Sequence, residues 1–146
     1  MPAFLAAAGV ESPAGIPGRN FLPLLQGKPI PWRDGLLYEY YWEKNFPQTP
    51  TMHAIRTEQY KYIRPYGVWD VEELYDLQSD PQEIVNLIRD PQHQQIVKEL
   101  KGQMFQVLKE TGGMSIPLFV DRDAQMNRRL KSGTPQAAFP PQMIQE

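Results

Sequence analysis

The sequence predicts an α+β fold. It is a small four-stranded antiparallel sheet packed by a C-terminal amphipathic helix, with an irregular N-terminal segment before it and an extended C-terminal arm after it. Three observations carry this reading. Four short β-type runs follow one another between residues 35 and 77, separated by turn-forming residues. An apolar stripe at helical spacing then runs from Ile96 to Leu108. Of the 146 residues, 15 are Pro and 10 are Gly, and they are densest before residue 36, where no long regular element can form.

Met1 to Gly9 reads as a short helix, with Pro2 suited to its first turn and Gly9 to its stop. It has no polar face, and a helix apolar all round is normally buried inside something larger. Residues 11–33 combine Pro and Gly with the apolar patch Phe21, Leu22, Leu24 and Leu25, which fits a loop packed down on another surface. Apolar surface at 1–9 and 21–25 is therefore expected to seek a partner or a second copy of the chain.

Residues 35–43 form the first strand, with Leu36, Tyr38, Tyr40 and Trp42 on one face and Glu39 and Glu43 on the other. Residues 45–50 break it. Residues 51–57 and 60–64 form a hairpin joined through Glu58 and Gln59, and residues 72–77 form the fourth strand. Short connections between consecutive strands imply antiparallel pairing. Two helix starts of one kind follow. Asp80-Pro81-Gln82-Glu83 has the arrangement of a capping box, and Asp90-Pro91 repeats the Asp-Pro start. Beyond Asp90, the residues Ile96, Val97, Leu100, Met104, Val107 and Leu108 share one face of a helix of roughly 20 residues, ended by Gly112-Gly113. The helix is expected to lie across one face of the sheet. Residues 114–146, with the basic run Arg128 to Lys131, show no sustained period and read as an extended or disordered arm.

Composition narrows the chemistry. With 15 Lys and Arg against 17 Asp and Glu, a formal net charge of −2, the chain is no basic nucleic-acid clamp. No run of apolar residues is long enough for a membrane-spanning helix. Cysteine is absent, which removes disulfides, thiolate metal sites and cysteine nucleophiles. The four serines lie in no nucleophile elbow, and no phosphate-cradling glycine loop or paired-histidine metal motif occurs. Glu72, Glu73, Asp76 and Asp80 could hold a cation, but a strand edge followed by a helix cap explains them more simply, so no metal site is assigned. The rings of Tyr38, Tyr40, Tyr41, Trp42, Tyr60, Tyr62, Tyr66, Trp69 and Tyr75 read mainly as sheet core under the helix, with a sugar-contacting minority left open. His53 and Arg56 are the two candidate substrate-binding residues, since Arg holds sulfate or phosphate through its planar fork. Their bland alternatives are a hydrogen bond from His53 to a loop and a pairing of Arg56 with a carboxylate such as Glu39. His93 reads as solvated.

The ordered motifs resemble those of a known family. Residues 53–88 pair A-I-R-T-x-x-Y-K-Y-I with E-L-Y-D-L-x-x-D-P-x-E-x-x-N-L, a pattern similar to the C-terminal region of type I, formylglycine-dependent sulfatases. Gly18, Phe21, Leu22, Pro23, Leu24, Leu25 and Gly27 resemble the preceding G-x-S-L-x-P-L-L-x-G segment, with Asn20 where the family usually has Ser. Trp32-Arg33 fits a W-R pair before the first C-terminal strand. The resemblance covers about residues 1–111.

The resemblance implies a sulfuric ester hydrolase of alkaline-phosphatase-like fold, of which residues 1–34 are the tail end of the large domain and connecting segment. Residues 35–113 are then the C-terminal α+β subdomain and 114–146 the arm. It implies that formylglycine and calcium belong to an N-terminal catalytic domain whose C/S-x-P/A-x-R motif this sequence lacks. No catalytic residue can therefore be placed here, and the chain alone is expected to be inactive. Met1-Pro2 falls inside the family's short helix, so the chain reads as the C-terminal domain or fragment of a longer enzyme, partnered by the missing domain. It would support the rim of a pocket for a substrate such as a sulfated carbohydrate. The alternative is a stand-alone glycan- or protein-binding module derived from a sulfatase tail. Full-length family members are periplasmic or secreted; no leader is visible in this sequence.

Overall fold

A computed structural model describes residues 1–43, 48–67, 69–117, 136–139 and 144. The basic run Arg128 to Lys131 lies outside them. The chain divides into two compact units, residues 1–33 and 34–146.

In the first unit, helix α1 spans Pro2–Ala7 and helix α2 spans Leu22–Leu25. Both have Pro in the first turn, where its missing N–H costs nothing. Asn20 Oδ1 accepts from the Leu22 amide at 3.0 Å, so an Asx side chain opens α2 much as Ser would. Pro2 and Ala3 are buried, whereas Met1, Phe4 and Leu25 are largely exposed.

The second unit is built on strands β1 (Leu36–Tyr40), β2 (Met52–Arg56), β3 (Tyr60–Pro65) and β4 (Glu73–Asp76), paired antiparallel in the order β1-β2-β3-β4. The β2–β3 turn is Glu58-Gln59, closed by the Thr57 amide donating to Tyr60 O at 2.8 Å. A 3-10 turn at Pro91–His93 leads into helix α3, Gln94–Glu110. Leu37, Ile55, Tyr62 and Leu74 form one face of the sheet against Leu100, Met104, Phe105 and Leu108 of α3. Ile55, Tyr62, Leu74, Met104 and Leu108 are fully shielded, and each such side chain contributes about 1.5–3 kcal/mol of burial. Phe105, absent from the expected stripe, is buried and widens it toward one end of the sheet, while Val107 is only half-buried.

Alternation alone puts Tyr38 and Tyr40 under the helix, and the structure reverses this. Partner register decides the face: Leu37 pairs with Ile55 and Glu39 with His53, so these residues look toward α3. Tyr38 therefore stands on the opposite face, 54% exposed.

Asp80-Pro81-Gln82-Glu83, expected to open a helix, starts none. Asp80 Oδ2 accepts from the Val85 amide at 2.8 Å, and Asn86 Oδ1 accepts from the amides of Leu74 and Ile88, each at 3.0 Å. The Leu87 amide donates to Leu74 O at 2.8 Å. The loop thereby satisfies the outward backbone groups of the edge strand β4, which competes successfully with a helical turn. Glu83 has φ +57°, the left-handed region that a right-handed helix excludes, and its carboxylate pairs with Lys61. Asp90 does what its sequence predicts: its side chain accepts from the Gln92 amide at 2.9 Å.

Helix α3 ends in a Schellman arrangement, with Gly113 N donating to Leu108 O and Gly112 N to Lys109 O. Gly112 supplies the required positive φ of +74°. Beyond it, Ser115–Pro117 (β5) pairs antiparallel with Gln136–Ala138 (β6). Phe139 then enters the core, so the described end of the arm is extended and draped on its own sheet.

Candidate functional site

The register of the first three strands places Glu39 beside His53 and His53 beside Arg64, all facing α3. A row of ionisable side chains thus crosses the sheet where the apolar stripe of the helix gives way to rings. Glu72, just before β4, completes it from the far side. Its Oε1 lies 3.2 Å from Arg64 Nη1, and its Oε2 accepts from Tyr62 Oη at 2.8 Å.

His53 is fully buried. Its Nδ1 is 3.1 Å from Tyr66 Oη, and its ring lies 5.4–5.7 Å from those of Tyr41, Tyr66 and Phe139. Its Nε2 stands 3.7 Å from Glu39 Oε1, too far for a direct hydrogen bond. Glu39 Oε1 accepts from Tyr41 Oη at 2.6 Å. The Arg64 guanidinium lies 5.8 Å from the ring centres of both Tyr66 and Phe105, a cationic plane between aromatic groups. Burial, reinforced by Glu72, pushes the Tyr62 hydroxyl far above the usual tyrosine value, and burial does the same for Tyr66. Both keep their protons at any physiological pH.

The row is tied to the loops at one end of the sheet. Strands β1 and β3 end there and β2 and β4 begin there, so Tyr41, Thr51, Tyr66 and Glu72 share that end. Thr51 joins them: its Oγ1 accepts from Trp42 N and its carbonyl from Tyr66 N, each at 2.9 Å.

The two sequence candidates are not brought together. His53 points inward, while Arg56, three residues on, is exposed on the opposite face at the far end of β2. Glu39 likewise faces away from Arg56 and meets Tyr41 and His53 instead. His93 is not simply solvated: its Nδ1 lies 2.8 Å from Asp90 Oδ2. The four carboxylates considered for a cation are dispersed. Glu72 serves Arg64 and Tyr62, Glu73 accepts from Tyr75, Asp76 accepts from the Gln78 amide, and Asp80 accepts from the Val85 amide. Among the described residues no group of three His, Cys, Asp or Glu could hold a metal ion. Burial, then the hydrogen bond to Glu73, pushes Tyr75 up to about 12. Sequence reasoning missed Arg64 and Phe139, and it gave Tyr66 and Glu72 other roles, as one ring of the aromatic run and as a possible cation ligand. The hairpin register was the available signal for Arg64, since a turn at Glu58-Gln59 sets it opposite His53.

The row ties β1, β2 and β3 to Glu72 ahead of β4. The family model for "N-sulphoglucosamine sulphohydrolase, C-terminal" matches residues 1–110. The chain belongs to this sulfatase family. It is 34% identical over 113 residues to an N-acetylglucosamine-6-O-sulfatase of Bacteroides thetaiotaomicron, covering 75% of this chain and 20% of that protein. It is 28% identical over 175 residues to an ulvan-active sulfatase of Formosa agariphila, covering 96% of this chain and 35% of that protein. Among solved structures, a protein in complex with its substrate D-glucosamine-2-N,6-O-disulfate superposes with a TM-score of 0.68 at 32% identity, over 75% of this chain and 23% of that one. This sulfatase domain thus spans between a fifth and about a third of the length of those curated relatives. Its sheet and helix are the C-terminal subdomain of the alkaline-phosphatase-like fold. None of its helices is long and apolar enough to cross a membrane, among the described residues.

Proposed function

We propose that this chain serves as the C-terminal domain of an enzyme that hydrolyses sulfate esters on a carbohydrate, and that it supports the catalytic domain and the rim of its substrate pocket. The observation that carries this reading is the match of residues 1–110 to a C-terminal sulfatase domain, on a sheet whose one loop-bearing end is fixed by the row from Glu39 to Glu72. Formylglycine and calcium would belong to the catalytic domain, where they supply the nucleophile and the charge that holds the sulfate. In this division His53 acts from inside the sheet by holding Tyr66, and Arg56 is the exposed cation available to an anionic group. The apolar residues Met1, Phe4 and Leu25 would be covered by the catalytic domain.

The test compares this chain alone with the catalytic and C-terminal domains together, on N-acetylglucosamine 6-sulfate and on 4-nitrophenyl sulfate. Turnover is expected only from the combined protein. Hydrolysis by the purified chain alone would overturn the reading. Tight binding of a sulfated oligosaccharide by the chain alone, seen by titration calorimetry, would favour the stand-alone module instead.

A further inference from the structure

We draw no further inference here: the strongest candidate, the sheet face turned away from α3, where exposed Leu36 and Tyr38 stand beside Ala54 and Ile63, carries none because nothing in the structure shows what covers it.

Discussion

Tyr66 Oη stands 3.1 Å from Nδ1 of the fully buried His53, and this contact couples the second strand to the residue that follows the third. Tyr66→Phe leaves a shielded ring nitrogen without its partner. The expected cost is about 1–3 kcal/mol in urea denaturation. In a His53→Leu background the same substitution should cost less than about 1 kcal/mol, because the group left unpaired is gone. Equal costs in both backgrounds would show that the bond contributes nothing.

Asn86 closes the edge of the sheet with three hydrogen bonds, from the amides of Leu74 and Ile88 and to the carbonyl of Glu72. Asn86→Ala should destabilise the protein by about 2–3 kcal/mol, since several backbone groups lose their partner together. Hydrogen exchange should localise the damage: the Leu74 and Ile88 amides should lose protection while those of α3 keep theirs.

Two glycines, one within α3 and one just past its end, should respond with opposite sign. Gly102 lies mid-helix and a Cβ there would meet nothing within 4 Å, so Gly102→Ala should stabilise by about 0.5–1 kcal/mol. Gly112 holds φ +74° at the C-terminal stop, so Gly112→Ala should destabilise by about 1 kcal/mol. Melting temperatures of the two variants that move the same way would contradict this account of the helix end.

Asp90 gives the helix entry a defined pH dependence. The Gln92 amide, then His93, holds its carboxyl below the ordinary value of 3.8. A carboxyl depressed in the folded state stabilises above the unfolded value, and that contribution disappears as the pH falls through the folded value. Asp90→Asn should therefore narrow the difference in urea midpoint between pH 6 and pH 2.5 relative to wild type. An unaltered difference would mean that the cap does not titrate with folding.

The sequence carried the strands, the β2–β3 turn and the helix, because each depends on local pattern. Glu58-Gln59 between two alternating runs specifies a hairpin, and Gly112-Gly113 stops a helix by its own backbone freedom. What it did not carry depended on partners distant along the chain. Tyr38 and Leu37 both sit in an alternating run, and only pairing with Ile55 decides which of them faces α3. Asp80-Pro81 and Asp90-Pro91 look alike, yet the first is drawn into a loop by Asn86 and the open edge at Leu74. The polar row was hidden for the same reason: Glu39, His53, Arg64 and Glu72 lie in four separate segments, and only Arg64 could have been placed from the hairpin. Phe139 carried no local signal at all, since a ring near the end of an aperiodic segment gives no hint of where it lodges.

Phe139 also has a bearing on biosynthesis. Its ring covers His53 and Phe105, yet it is synthesised well after the strands and helix it covers. A nascent chain can complete the sheet and α3 while the imidazole is still open to water. Desolvation of that group then waits for the last ring to leave the ribosome, so a premature stop before residue 139 would leave a formed sheet with a wet, unsealed interior.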